Sequence, residues 1–114
     1  MYYFGDDESN LSDYAWFYYN AYGATHEVGQ KKPNPWDLYD IHGNVRELVL
    51  DKWHDNYIGA PTDGSAWERG NSSSHVHRGG GMRNPADNCR SADRSFFRID
   101  DREDYVGFRL VRDV

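Results

Sequence analysis

Apolar positions in this chain fall into short runs rather than long periodic blocks. Between Val45 and Trp53 they alternate with polar ones. That predicts a strand with Arg46, Leu48 and Leu50 on one face and Val45, Glu47, Val49 and Asp51 on the other. His75-Val76-His77-Arg78 predicts a second, short strand that stops at Gly79-Gly80-Gly81, and Val106 to Val111 a third, with Val106, Phe108 and Leu110 on one face. Upstream, Leu11 to Ala21 reads as one short helix capped by Asn10 or Ser12. Tyr14, Trp16, Phe17, Tyr18 and Tyr19 nearly surround it, so it is either well buried or not a regular helix. The remainder is loop: an acidic, solvated turn near Gly5-Asp6-Asp7-Glu8, a polar connection from Gly23 to Lys32, a Gly-, Pro- and Ser-rich stretch from His54 to Ser74, and a charged stretch from Met82 to Tyr105. Three short strands separated by loops longer than themselves describe a scaffold that displays loops.

Composition sharpens this picture in three ways. At 114 residues the chain is expected to be one domain, or part of one, spanning 1–114. The net charge of −6 argues against nucleic acid and against an anionic membrane surface as partners. Aromatic residues make up 16%, with nine Tyr and four Trp, so large rings with hydrogen-bonding edges can build the core that a modest 38% of apolar residues would otherwise leave thin. One cysteine, Cys89, cannot form an internal disulfide. No apolar run approaches the roughly 20 residues that span a bilayer, and the Met1–Glu8 start lacks the basic and apolar regions of a signal peptide. A soluble protein is expected, with its compartment unspecified.

The densest cluster of signals is Pro33 to Leu48. Asn34-Pro35 and His42-Gly43-Asn44 are turn signals that bracket a short aromatic and aliphatic run. Asp40 and Glu47 flank the glycine. A loop with a carboxylate on each side of a glycine bend can wrap a hard cation, with backbone carbonyls as further ligands. The plain alternative is that Asp40 caps the turn and Glu47 pairs with an arginine.

Asn34-Pro35-Trp36-Asp37-Leu38-Tyr39-Asp40-Ile41-His42-Gly43-Asn44-Val45-Arg46-Glu47 resembles the signature of the formylglycine-generating enzyme (sulfatase-modifying factor) family. Arg78-Gly79-Gly80, Cys89-Arg90-Ser91-Ala92-Asp93-Arg94 and Gly107-Phe108-Arg109 resemble that family's ending in the same order, and Tyr2-Tyr3-Phe4-Gly5-Asp6 and Tyr14-Ala15-Trp16 are also similar to it. The resemblance implies an α+β, C-type-lectin-like fold with short strands and long loops. It places the chain on the C-terminal portion of the family pattern, as a form truncated at the N-terminus, a fragment, or a reduced fold that buries its sheet some other way. A homo-oligomer, or a separate chain supplying the N-terminal half, is expected to cover the sheet face left open.

For the metal loop, the resemblance implies Ca²⁺ held by Asp40, Gly43, Val45 and Glu47, the glycine and valine through their carbonyls. The namesake activity is a different matter. It uses copper between two thiolates, and this chain has only Cys89, so formylglycine synthesis is not expected and Cys89 reads as a lone buried thiol. Another branch of the family consists of iron-dependent sulfoxide synthases, whose metal-binding histidines lie in a domain outside this region. Iron or copper enters here only through an alternative reading as a metal-dependent oxidoreductase. His75 and His77 alternate along a strand and so share a face, and His54 or Asp55 supplies a third ligand.

The chain also resembles the variable proteins of diversity-generating retroelements, in which the same ending is a display surface. That likeness implies a binding module for a protein or small-molecule ligand, with Met82, Arg83, Phe96, Phe97 and Tyr105 as contact residues. Exposed aromatic anchors such as Phe96, Phe97 and Tyr105 dominate binding energy where they occur; the plain alternative is that these rings fill a core. Arg46 and Leu48 stand where the enzyme family carries two tryptophans, so Arg46 is free to serve a salt bridge or to line a site. The reading that follows is a calcium-stabilised, ligand-binding C-type-lectin-like domain without the copper-binding cysteine pair.

Overall fold

The structure, a computed structural model, describes residues 1–98 and 100–112. Its frame is a four-stranded sheet in the order β3-β2-β1-β4. The strands are β1 (Arg46–Lys52), β2 (Ser74–Arg78), β3 (Ser95–Arg98) and β4 (Val106–Gly107). β1 and β2 are antiparallel, pairing Glu47 with Arg78 and Leu48 with His77, and the register then slips before Lys52 meets His75. β3 adds to the other edge of β2, with Val76 opposite Phe96 and His77 opposite Ser95. β4 runs parallel to β1, Arg46 opposite Val106 and Glu47 opposite Gly107. Small α+β elements joined by long loops make the C-type-lectin-like architecture expected from the sequence.

Three sequence expectations change. The helix α1 covers only Leu11–Tyr14, after a 3-10 turn at Glu8–Asn10. The Asn20 side chain ends it: its Oδ1 accepts from the Phe17 N–H at 2.8 Å, and its Nδ2 donates to the Ala15 carbonyl at 2.9 Å. A polar side chain bonded to the backbone in this way competes with helix propagation. The ring-rich segment after Tyr14 therefore bends back, burying Phe17 while Tyr18 and Tyr19 stay exposed. Secondly, Met82 to Tyr105 is not all loop. It contains β3 and a 3-10 turn over Ala86–Cys89, and Ile99 within it lies outside the described residues. Thirdly, only Val106 and Gly107 of the final run pair with the sheet, and Phe108, Leu110 and Val111 are exposed. The even row of β1 is likewise not one uniform face: Arg46 is buried, whereas Leu48 and Leu50 face outward.

The core gathers Tyr2, Leu11, Ala15, Phe17, Ala86 and Cys89, with Phe4 packed against it. Aromatic edges are satisfied as the composition requires: Tyr2 donates its hydroxyl to the Ala86 carbonyl at 2.9 Å. His42 is fully buried beside this cluster. Its Nδ1 meets the Cys89 carbonyl at 2.6 Å, and its Nε2 meets the Tyr3 N–H at 3.4 Å, so a neutral ring with its proton on Nδ1 satisfies both contacts.

The turn Gly43-Asn44 ties the layers together. Gly43 donates its N–H to the Gly79 carbonyl at 2.7 Å. Asn44 donates to the Trp16 carbonyl at 2.6 Å and accepts from the Met82 N–H at 2.8 Å. Its side chain brackets His26, accepting from that residue's N–H at 2.9 Å and donating to its carbonyl at 3.0 Å. Gly43 and Asn44 both have left-handed backbones, φ 80° and 64°. A Cβ on Gly43 would press into the Trp16 carbonyl and the Ala15 methyl.

Two predictions follow from this packing. Gly43→Ala combines left-handed strain with a backbone clash and is expected to cost about 2–5 kcal/mol. A denaturant midpoint within error of wild type would contradict that. Burial pushes the His42 pKa down from the ordinary 6.5, against the opposing Cys89 hydrogen bond. The unfolded chain then binds a proton that the native chain refuses, so this contribution is complete above about pH 6.5 and is lost as pH falls below it. Thermal melting from pH 7.5 to pH 5 should show a falling Tm, and a flat profile would count against a neutral buried His42.

Candidate functional site

Two clefts lie on either side of the β1 start, and consecutive residues of the strand feed them. Glu47 lines one and Arg46 the other.

The first cleft encloses about 410 Å³ and is lined by all four residues of the expected cation loop, Asp40, Gly43, Val45 and Glu47. Asp40 has a left-handed backbone, φ 55°, and its Oδ2 accepts from the Gly29 N–H at 2.9 Å. Its Oδ1 is buried with no hydrogen-bond partner among the described residues. A buried carboxylate oxygen without a donor or counter-ion is costly, and a hard cation is the chemistry that relieves it. Glu47 is engaged differently. Arg109 grips it bidentately, Nη2 to Oε1 at 2.8 Å and Nε to Oε2 at 3.1 Å, and the same Nη2 reaches the Tyr39 carbonyl at 2.7 Å. A carboxylate offers about four lone-pair positions, so the arginine fork leaves room for a further contact. The four residues offer only oxygen donors, the type a hard cation takes, while the Arg109 pair is the arginine partner for Glu47 that the sequence left open as the plain alternative to a metal. Arg109 closes the Gly107-Phe108-Arg109 motif of the family's ending.

The second cleft encloses about 250 Å³. Arg46, His77 and Asn84 form its inner side, and Arg83, Ser95, Phe96 and Tyr105 its outer rim. Three of the five expected contact residues, Arg83, Phe96 and Tyr105, thus come together from separate segments. Phe96 is 52% exposed. The Arg83 guanidinium pairs with Asp104 at 3.0 Å and lies 5.9 Å from the Tyr105 ring centre. The other two contact residues are placed elsewhere. Met82 is 2% exposed, held by its backbone bond to Asn44, and is not available to a ligand. Phe97 lines a separate apolar cleft with Leu48, Val49 and His75.

The histidines do not assemble into a metal site. His77 lines the second cleft and its Nδ1 meets Arg46 Nη1 at 3.0 Å. Burial first, and the Arg46 charge second, push its pKa down, which suits a neutral ring accepting from the guanidinium. His75 turns its Nδ1 to the Leu50 carbonyl at 3.1 Å. Both His54 nitrogens face backbone carbonyls, of Lys52 at 2.9 Å and Arg69 at 2.7 Å, and the ring stacks on Trp67. His75 and His77 share strand parity but line different clefts, His75 with Leu48, Val49 and Phe97 and His77 with Arg46 and Asn84. Among the described residues no group of three His, Cys, Asp or Glu side chains could hold a metal ion.

Cys89 is wholly buried, and desolvation pushes its thiol up to about 12. It touches the chain so closely that a Cβ on Gly80 would collide with its sulfur. It is a packing residue with no thiolate character at neutral pH. Arg94, from the Cys89–Arg94 motif, anchors the long loop after β1. It donates to the His54 carbonyl at 2.6 Å and lies between the Trp53 and Tyr57 rings, 4.4 Å and 4.5 Å from their centres. No helix is long and apolar enough to cross a membrane among the described residues.

Comparison with known proteins places this geometry in context. The profile of the sulfatase-modifying factor enzyme 1-like domain matches residues 3–114. No curated protein sequence matches the chain. Among solved structures, variable protein 1 of Treponema denticola is 34% identical with a TM-score of 0.78, covering 91% of this chain and 37% of that one. PvdO from Pseudomonas aeruginosa is 40% identical with a TM-score of 0.78, covering 85% of this chain and 38% of its own. CarF, at 21% identity and a TM-score of 0.65, shares the fold over 90% of this chain and 34% of that one. The chain therefore spans little more than a third of the length of these structures.

Proposed function

The chain belongs to the sulfatase-modifying factor enzyme 1-like domain family, and on that premise we propose that it is a ligand-binding domain braced by calcium, with its ligand seated in the cleft of Arg83, Phe96 and Tyr105. The observation that carries the reading is the convergence of those three side chains, from separate segments, on one concave surface of about 250 Å³ beside a half-exposed aromatic ring. A concave site with an aromatic wall and a few polar groups is the ordinary form of a small-molecule or side-chain pocket. Likeness to a protein described as a variable protein supports a recognition role over catalysis. Two-thiolate copper chemistry is not part of this proposal, because the chain's one cysteine is a buried packing residue.

Calcium acts as a brace in this reading. Asp40 and Glu47, with the Gly43 and Val45 carbonyls, would hold the ion and neutralise the orphaned Asp40 oxygen. The exposed row of Leu48, Leu50 and Phe108 would lie against a second polypeptide, either a copy of this chain or another, since apolar groups clustered on a surface mark interaction faces.

Two measurements test the proposal. Elemental analysis should find calcium rather than iron or copper. Chelation should lower the Tm of wild type but not of Asp40→Ala, because an ion at about a hundred times its Kd adds about 2.7 kcal/mol to the native state alone. A Tm indifferent to chelator removes calcium from the reading. For the ligand site, a fragment library screened by NMR should give hits that perturb Phe96 and Tyr105. Those hits should weaken roughly tenfold or more in Phe96→Ala, the scale of losing an aromatic anchor. Hits that bind the variant equally well would move the site elsewhere.

A further inference from the structure

The geometry points to a specific chemistry for the occupant of that cleft: a compact oxyanion, carboxylate or phosphate, gripped by Arg46. The inference rests on the ligand-binding reading and names what the ligand must carry.

Arg46 is 9% exposed, yet it forms no salt bridge with any carboxylate among the described residues. Its Nε donates to Asn84 Oδ1 at 2.9 Å and its Nη1 to His77 Nδ1 at 3.0 Å. Both partners are neutral acceptors. They fix the plane and direction of the guanidinium without cancelling its charge. Asn84 Oδ1 is itself held by the Gly81 N–H at 2.9 Å, so the positioning is rigid. Nη2 makes no hydrogen bond among the described residues, and the side chain lines the open cleft.

A buried guanidinium held by neutral groups is an arrangement of net cost to the folded state unless an anion completes it. Arginine presents a planar fork suited to bidentate oxyanion binding. The rest of the cleft agrees. Arg83 brings a second positive charge to the rim, and although Asp104 pairs with it, that pair is exposed and easily exchanged. Ser95 supplies a polar group, and Phe96 and Tyr105 supply ring surface for an apolar or aromatic body attached to the anion. The concentration of two arginines in one small cleft stands out on a chain with a net charge of −6.

Phenylacetate, phenylacetamide and inorganic phosphate are the discriminating probes, each titrated into the protein at low salt and followed by NMR at the Arg46 side-chain Nε–H and the Ser95 and Phe96 amides. Phenylacetate should bind at least about tenfold tighter than its neutral amide, the ratio expected for one charge-assisted fork. Phosphate should move the Arg46 signal, and the relative strength of the two anions tells which oxyanion is preferred. Arg46→Met should abolish the preference for acid over amide, and Arg46→Lys should keep only part of it. The unliganded Arg46→Met protein should melt at or above the wild-type temperature, because an uncompensated buried charge has gone. Equal binding of acid and amide overturns the oxyanion assignment and leaves the ligand-binding reading intact. Silence of the cleft toward both anions, or a preference for acid that survives Arg46→Met, also overturns it. A marked loss of Tm in Arg46→Met would show Arg46 to be a structural strut instead. Failure of the wider reading looks different: the cleft then stays silent to the amide and to every neutral fragment as well.

Discussion

The carboxamide of Asn44 and the glycine before it form the constraint on which the fold depends. Three separate segments, around Trp16, His26 and Gly79 to Met82, are tied to two adjacent residues by backbone and amide hydrogen bonds. None of these bonds is strong alone, at about 1 kcal/mol net each. Their value lies in being buried and mutually oriented, so that losing one leaves desolvated groups unpaired. The left-handed backbone at Gly43 and Asn44 is the geometry that lets successive N–H and C=O groups point to different layers. With few regular elements, the chain fixes its long loops through this turn rather than through helix packing.

The same turn sets the relation between the two clefts. β1 leaves it with Arg46 and Glu47 in immediate succession, and the pleat sends neighbouring side chains to opposite sides. Glu47 meets Arg109, whereas Arg46 meets His77 and Asn84. A carboxylate holding another guanidinium and a guanidinium held only by neutral groups thus stand on adjacent residues of the strand. The first is a closed structural pair. The second is poised toward an open space.

Much of the architecture was legible in the sequence because it is local. The alternation from Val45 onward, the short His75–Arg78 run and the glycine bend at 43 each depend on neighbouring residues, and each lies where expected. The helix over-reach after Tyr14 came from reading aromatics as helical when an Asn side chain was available to stop the turn. β3 was hidden because four residues, Ser95 to Arg98, give too little periodicity to stand out among charges, and its existence depends on the free edge of β2. The ligand cleft was only half legible. Phe96 and Tyr105 could be suspected as anchors from residue type, but Met82 is drawn inward by its bond to Asn44, and the company Arg46 keeps is set by long-range pairing. Arg46 itself was visible only as a departure from a tryptophan pattern.

The anchoring of the segment after β1 has a consequence for how such a domain can change. Arg94 pins its start at His54, while Asp51 accepts from the Trp67 N–H at 2.9 Å and the Lys52 N–H reaches the Trp67 carbonyl at 3.0 Å. The ends of the excursion from Asp55 to Ala66 are therefore held by groups outside it. Once the ends of a loop are fixed, doubling its length costs only about 0.6 kcal/mol of closure entropy. The excursion is thereby a natural grafting point, able to gain or exchange residues while the sheet, the turn and both clefts keep their shape.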